Sequence, residues 1–487
     1  MAIDDAVLVT PEAMGRIDAA AIDSGIDGYG LMRSAGAHVS ACVLAHYSDI
    51  RRAVVLCGPG NNGGDGHVAA RLLMESGVPT QRFGMTPRPG GDAARANADC
   101  PGDLLGFDDW RPEAGDVIID ALFGAGLDRP VHGEFADVIA RVSECGAPVV
   151  AVDLPSGVSG RTGEPTGPCL EAAHTVTFAA LKPGHVLMPG RVLCGQIHLS
   201  DIGIPARLIT SDEAVWCNHP GLYCEHLPAM SAGQHKYSRG HLAVFSGPLI
   251  SGGAARLAAL AGLRAGAGLV SLGTPPGAVM SQAGHLTAIM QHRIADCGDL
   301  REWLADTRIS GFVLGPGFGD LDKARAFAAV LGDDGRPVVL DADGLSAFAG
   351  DRAELAALFA GKTRLIITPH EGEFRRLFPD LVEDQALSKI DRASIAAETL
   401  NAAVIYKGPD TVIAMPDGRA AVNADAPAWL ATAGSGDVLS GTAGGLVAQG
   451  MPLFEACCAA VASHGAAAAR YGPGMTAEDL VEQIGFS

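Results

Sequence analysis

The chain has 487 residues, more than one hydrophobic core usually serves, so two or three domains are expected. Hydrophobic residues make up 48% and charged residues 18%, and no run approaches the roughly 20 uninterrupted apolar residues needed to cross a bilayer. Acidic residues outnumber basic ones 55 to 35, and the net charge of −20, spread along the chain, disfavours nucleic acid and anionic membranes as partners.

The opening Met1-Ala2-Ile3-Asp4-Asp5 is acidic and lacks the basic-then-apolar order of a secretory signal, so a cytoplasmic enzyme is expected. Residues 11–46 are predicted helical, with Met14, Ile17, Ile22, Leu31 and Met32 as apolar contacts. Strands are predicted at 53–57, 117–120, 148–153 and 174–179, with helices between the earlier ones. Continuous apolar strands separated by helices imply a parallel sheet covered on both faces, with ligands at the carboxyl ends of its strands. Those ends carry Asn61, Asn62, Asp120, Asp153 and Ser156. Residues 203–238, where Pro205, Pro220, Gly221, Pro228 and Gly233 stand among polar residues, read as a linker. Alternation resumes with strands at 241–246, 269–274, 311–314, 337–341 and 364–368, then a hairpin at 403–415. An Ala/Gly-rich helical block from Gly436 to Arg470 closes the second half. The predicted fold class is α/β, in two three-layer domains spanning 1–215 and 225–487.

The 11 cysteines contain no CxxC pair. Cys217, His219, Cys224 and His226 are the one run resembling a metal site, but Cys-x-His steps are not a common zinc-ligand pattern, and reduced, mostly buried thiols are expected.

Two glycine loops of different kinds carry the chemistry. Gly58-Pro59-Gly60-Asn61-Asn62-Gly63-Gly64-Asp65-Gly66 follows the apolar run 53–57, and Ala433-Gly434-Ser435-Gly436-Asp437 opens a helix near the C-terminus. Glycine lets backbone N–H groups approach an anion at a helix N-terminus, where unpaired donors and the helix dipole favour negative charge. Two such loops, each with its own strand-end carboxylates, imply two active sites. Asp120 and Asp153 both end apolar runs, and a buried carboxylate costs desolvation energy unless a ligand, cation or donor meets it. Capping of the next helix explains one such Asp easily and two less well.

The order of Asn61 to Gly66, Asp120 to Gly126, Asp153-Leu154-Pro155-Ser156-Gly157 and Thr177 to Gly184 resembles the NAD(P)H-hydrate epimerase domain, over about residues 10–210. The resemblance implies a Rossmann-like domain in which Asn61, Asn62, Gly63, Gly64 and Asp65, with Gly124, Ala125, Gly126, Leu127, Asp128, Arg129 and Pro130, bind the hydrated cofactor. It further implies that Asn62, Asp120 and Ser156 hold potassium, and that Asp153, itself a substrate contact, stands with Lys182 at the reacting carbon. Oxygen-only ligands suit a hard monovalent cation, and an Asp beside a Lys forms a workable acid/base pair because each shifts the other's pKa. Read without the resemblance, Lys182 is a surface lysine before a Pro-Gly turn.

Thr432 to Gly441 resembles the anion hole of ribokinase-like kinases, in which a helix N-terminus holds the transferring phosphoryl group and the Asp takes the acceptor's proton. More narrowly, Gly253 to Val270, Gly315 to Gly319, Asp341-Ala342-Asp343, Thr368 to Phe374 and Tyr406-Lys407-Gly408 resemble the ADP-dependent NAD(P)H-hydrate dehydratase domain, over about residues 230–485. This implies ADP contacts, with ATP the other nucleotide considered, at Lys407, Gly408, Pro409, Asp410, Thr411 and Gly436. It implies hydrate contacts at Ala254, Gly317, His370 and Asp437, with Asp437 as base. Magnesium is implied near Glu373, but a sugar kinase more often shows Asn where His370 stands, so its ligands stay open.

Together the resemblances imply a bifunctional repair enzyme whose small-molecule substrates are the hydrates of NADH and NADPH and an adenine nucleotide, and a homo-oligomer is expected. The rival reading is a vitamin or sugar kinase with a non-catalytic N-terminal nucleotide-binding module.

Overall fold

The computed structural model describes residues 7–127, 129–209, 214–229, 235–361 and 364–486. The chain divides into two compact units, Met1–Cys217 and Asn218–Ser487. Among the described residues no helix is long and apolar enough to cross a membrane.

In the first unit the strands Leu104–Leu105, Thr80–Gly84, Arg52–Cys57, Asp116–Ala121, Val149–Val152, His174–Phe178 and Gln196–Ser200 lie side by side in that order, all parallel. Successive residues point to opposite faces of a strand, and helices cover both faces here. Ala53, Val55 and Cys57 pack with Val39 and Val43 of helix Gly28–His46 and with Ala70 and Leu73 of helix Asn61–Glu75. Val54 and Leu56 pack instead with Val138, Ile139 and Val142 of helix Glu134–Cys145. Three further strands are absent from the sequence reading: Thr80–Gly84 and Gln196–Ser200 lie at or beside the sheet edges and carry polar residues such as Gln81, Arg82 and His198, and Leu104–Leu105 is only two residues long.

Helix Pro11–Asp23 starts at Thr10, whose hydroxyl accepts from Ala13 N at 3.3 Å, with proline in the first turn where its missing N–H costs nothing. Met14, Ile17, Leu31 and Met32 are buried as predicted, whereas Ile22 is 48% exposed because it lines a cleft and not the core.

The second unit orders its strands Met290–Arg293, Leu269–Thr274, His241–Phe245, Gly311–Leu314, Val338–Leu340, Leu365–Ile367, Ala403–Tyr406, Thr411–Ala414 and Ala420–Asn423. The first seven run parallel, and the last two extend the sheet as antiparallel hairpins. On one face Phe245 meets Trp303 and Phe327. On the other, helices Gly252–Arg264 and Ser435–Ala448 press so close to each other that a Cβ on Gly441 would lie 2.0 Å from Ala258 O, and the second lies so close to the sheet that one on Gly444 would lie 2.6 Å from Val313. The Ala/Gly richness of this region is therefore a packing requirement.

The block predicted as one helix from Gly436 to Arg470 is two, Ser435–Ala448 and Leu453–Tyr471, because Gly450 turns to φ +90° and Pro452 removes a donor. The predicted linker also needs correction. Val215–Cys217 is a strand, and Asn218 N donates to Val422 O at 2.8 Å while its Nδ2 donates to Asn423 Oδ1 at 3.0 Å and Cys458 O at 2.9 Å. The second unit thus begins well before residue 225.

Candidate active sites

At the carboxyl end of the first sheet, helix Asn61–Glu75 begins directly after Gly58-Pro59-Gly60. A Cβ on Gly58 would lie 1.9 Å from Leu122 O and one on Gly63 2.0 Å from Gly58 O, so only glycine builds this turn. The turn borders a cleft of about 630 Å³ lined by Asn61, Asn62, Asp65, Gly124, Ala125, Gly126, Leu127, Arg129, Asp153 and Lys182, among others. Gly63 and Gly64, also expected as contacts, are buried behind this wall, and Pro130 is exposed and does not line it. Asp128 lies outside the described residues.

Asp153 follows the strand Val149–Val152 with φ +66°, a conformation that costs a non-glycine residue energy. The surrounding bonds hold it there. Lys182 Nζ donates to Asp153 Oδ1 at 2.8 Å, Thr177 Oγ1 donates to the same oxygen at 2.9 Å, and Ala125 N donates to Oδ2 at 2.8 Å. His185 Nδ1 accepts from Lys182 N at 2.9 Å, which leaves the ring proton on Nε2 to reach Asp153 O at 2.7 Å. Burial, then the charge of Lys182, pulls the His185 pKa down to about 4, so it braces the loop as a neutral ring. Burial pushes Asp153 up, but Lys182 and the donors around it more than offset that and hold it well below the ordinary carboxylate range. Asp65 and Asp18, in the same cleft, move the other way: burial raises both, and the charge of Asp153 adds to it. Lys182 is only 3% exposed, which excludes the surface-lysine reading.

Asp120 and Ser156 are brought together beside this cleft. Ser156 N donates to Asp120 Oδ2 at 2.7 Å, its Oγ donates to Oδ1 at 2.6 Å, and Leu122 N donates to Oδ1 at 3.2 Å. Asp120 is fully buried, and burial wins over these donors, pushing its pKa up to about 6. Among the described residues no cationic side chain pairs with it. Asn62 keeps a buried Nδ2 edge without a partner, and its Oδ1 lies 3.1 Å from where a Cβ of Gly124 would stand. A buried carboxylate with no cationic partner and a hydroxyl at 2.6 Å fits a cation of low charge.

In the second unit Gly434, at φ +88°, caps helix Ser435–Ala448, whose first N–H groups have no intrahelical acceptor. His464 Nε2, on a buried ring, donates to Ser435 O at 2.8 Å and steadies the turn; burial pulls its pKa down to about 4. Lys407 Nζ meets Asp341 Oδ1 at 2.8 Å and Glu373 Oε2 at 3.9 Å, and a Cβ on Gly436 would lie 3.2 Å from that ammonium. Burial, then the charge of Asp341, pushes Asp437 up to about 7; Asp343 and Glu373 add to this and Lys407 opposes it.

Gly317, at φ +58°, brings Ala254 to 3.1 Å from its would-be Cβ, and Ser251 Oγ donates to Gly317 O at 2.7 Å, so these two predicted contacts are neighbours. His370 caps helix Glu371–Leu377: its Nδ1 accepts from Gly372 N at 2.9 Å, and Glu373 Oε2 accepts from His370 N at 2.8 Å. Gly408 and Pro409 are exposed, Thr411 closes their turn by donating to Gly408 O at 2.8 Å, and Asp410 is buried against Lys389 Nζ at 2.6 Å.

Sequence reading missed Asp18, Thr177, His185, Lys389 and His464. His464 left a signal, a polar ring within the apolar helix Leu453–Tyr471. Lys389 left none, because its sequence neighbours do not distinguish it from a surface lysine.

A family profile described as NAD(P)H-hydrate dehydratase matches residues 242–485, and one described as YjeF-related protein N-terminus matches residues 28–184. The bifunctional NAD(P)H-hydrate repair enzyme Nnr of Coxiella burnetii is 33% identical over 98% of both chains. The enzymes of the same description from Moorella thermoacetica and Escherichia coli are 35% and 32% identical, each over 94% of this chain and over 91% and 89% of their own. Among solved structures, the ADP/ATP-dependent NAD(P)H-hydrate dehydratase of Bacillus subtilis covers 53% of this chain and 92% of its own at 26% identity and a TM-score of 0.45. A ribokinase-like superfamily protein of Enterococcus faecalis covers 57% and 95% at 18% identity and a TM-score of 0.49. With relatives of this identity aligned over nearly its whole length, the chain belongs to the family of bifunctional NAD(P)H-hydrate repair enzymes.

Proposed function

We propose that the first unit interconverts the R and S forms of NAD(P)H hydrate and that the second dehydrates the S form at the expense of ADP, releasing AMP and phosphate. One observation carries the reading: each unit builds its own carboxylate and lysine pair beside a glycine turn that opens a helix, Asp153 with Lys182 in one and Asp341 with Lys407 beside Asp437 in the other.

In the first site the hydrate's hydroxyl sits on the carbon next to the ring nitrogen. Lys182 gives that oxygen a proton, the nitrogen's electron pair expels it as water, and a planar cation results. Asp153, whose low basicity keeps it ionised, stabilises that positive ring. Water then adds to the other face and returns a proton, so the net change is inversion at one carbon. Asn61, Asn62, Asp65, Gly124 to Leu127 and Arg129 would hold the cofactor across the cleft. Asn62, Asp120 and Ser156 would hold potassium, which when bound supplies the positive charge that the buried Asp120 lacks.

In the second site Asp437, with a pKa near neutrality, takes the proton of the hydrate's hydroxyl. The oxygen attacks the terminal phosphorus of ADP and AMP leaves. The N–H groups at the start of helix Ser435–Ala448, with Gly436 kept bare, face the transferring phosphoryl group, and Lys407 offsets its charge. The ring nitrogen now expels phosphate, a far better leaving group than hydroxide, and loss of a proton from the adjacent carbon restores the double bond. Ala254, Gly317 and His370 would line the hydrate, and Lys407 to Thr411 the nucleotide. Asp341, Asp343, Glu373 and Asp437 outnumber Lys407 four to one, a balance that fits magnesium carried in with the nucleotide, where it would shield phosphate charge. The cytoplasm, where reduced cofactors and adenine nucleotides meet, is the proposed location.

The test is product analysis with the purified S form and ADP. Restored dihydronicotinamide, AMP and free phosphate in equal amounts support the reading, and an accumulating phosphorylated acceptor would assign the second unit to the kinases.

A further inference from the structure

Cys42, His46, His174 and His198 take no part in either site, yet the Cys42 Sγ and one ring nitrogen of each histidine all lie within 4.8 Å of one another. Cys42 and His46 are four residues apart on helix Gly28–His46, which places them on one face. His174 opens the strand His174–Phe178, and the register that pairs it with Gln196 also pairs Val176 with His198 on the next strand. Side chains two apart share a face, so both rings project on the side where Val176 packs against that helix. His174 Nδ1 is 3.1 Å from His198 Nε2, and the His46 ring centroid is 4.1 Å from that of His174 and 5.2 Å from that of His198.

We propose that these four residues form a closed, structural zinc site that ties the end of helix Gly28–His46 to two adjacent strands of the first sheet. One thiolate and three imidazoles are a borderline-soft donor set, which selects zinc over magnesium, calcium or potassium. With bonds of about 2.0–2.3 Å, tetrahedral ligand atoms stand roughly 3.3–3.8 Å apart, so atoms that already lie within 4.8 Å of one another need only a small contraction. Each imidazole binds through a neutral nitrogen, and Cys42 releases its thiol proton to water as the S–Zn bond forms. Four protein ligands leave no open position for substrate. His174 precedes Thr177, which donates to Asp153, by three residues, about 10 Å along the strand, so the ion steadies the scaffold and takes no part in the chemistry. No spacing in the sequence exposes the site, because its ligands come from positions 42, 46, 174 and 198.

The test strips the reduced full-length protein with a chelator and titrates it with cobalt(II), then zinc. One equivalent of cobalt should give a thiolate-to-cobalt charge-transfer band with tetrahedral d–d absorption, and one equivalent of zinc should erase both. Cys42→Ser should lose the charge-transfer band, His198→Gln should bind at least ten-fold more weakly, and Cys224→Ser, at an exposed cysteine elsewhere, should behave as wild type. Zinc should also raise the melting temperature of the wild-type chain, a readout that stands even where a variant fails to fold. A wild-type chain with no thiolate band at one equivalent of cobalt and no thermal shift with zinc, or a band that survives Cys42→Ser, would overturn the proposal.

Discussion

Lys182 Nζ and Asp153 Oδ1 meet at 2.8 Å at the back of the first cleft, their side chains only 4% and 18% exposed. Removing one partner of a buried ion pair leaves an uncompensated charge, a loss on the order of 3–5 kcal/mol. Lys182→Met is therefore expected to lower the melting temperature and to slow epimerisation by roughly 100-fold or more, the scale of a lost proton donor. Dehydration of the purified S form should stay within about two-fold of wild type. Stopped assays of both reactions on one preparation check this, and a parallel fall in both rates would mean that the chemistry is shared.

Gly124 offers a subtler perturbation. A Cβ there would stand 2.9 Å from Asp153 Oδ2 and 3.1 Å from Asn62 Oδ1. Gly124→Ala should displace the Asp153 carboxylate by a few tenths of an ångström and cost on the order of ten- to a hundred-fold in epimerisation, since small misplacements near reacting atoms carry such factors. The protein should fold normally, because the added methyl faces the cleft. An unchanged rate would show that Asp153 need not be held where it is.

Asp437 links catalysis and stability through pH. Its folded pKa is pushed up to about 7, while an unfolded Asp titrates near about 3.9. The base proposed here would work only when ionised, so kcat/KM for dehydration should rise with pH through about 7. Between those two values the folded state binds the extra proton, so stability falls as pH rises. Asp437→Asn should then lose dehydration by about 100- to 10,000-fold and yet melt higher than wild type, by a wider margin at pH 8 than at pH 5. Thermal melts at both pH values decide the second point, and a variant that melts lower at pH 8 would refute the assigned charge balance.

Potassium should matter to one reaction only. Asp120 is buried with no cationic partner among the described residues and has a pKa pushed up to about 6, so the proposed ion beside it would keep it charged. Replacing potassium by a large organic cation, or Asp120 by Ala, should slow epimerisation and leave dehydration of the S form unchanged. Equal slowing of both reactions by Asp120→Ala would remove the ion from the first site.

Much of the architecture was legible because buried parallel strands announce themselves as apolar runs: 53–57, 269–274 and 311–314 appear where the pattern puts them. Polar strands at or beside an edge, such as Gln196–Ser200 and Met290–Arg293, carry no such run. The glycine turns and strand-end carboxylates were legible because their chemistry is local. Their supports were not. Thr177, His185 and His464 act across folded distances, and His370 serves the fold as the cap of helix Glu371–Leu377, a role hidden until Glu373 is seen returning the bond. The break at Gly450 and Pro452 could have been read from residue type, but the continuous apolar pattern on both sides masked it.

The central claim is that one chain holds two separate activities in series, and mixed hydrate epimers with ADP test it most directly. Recovery of dihydronicotinamide absorbance in the wild type should go to completion; Lys182→Met should stop after the S fraction is consumed, apart from the slow spontaneous conversion of the R form, and Asp437→Asn should show no enzymatic recovery. Mixing the two variants should restore full recovery, because each supplies the step the other lacks. Failure of the mixture to exceed the Lys182→Met variant alone would contradict the account.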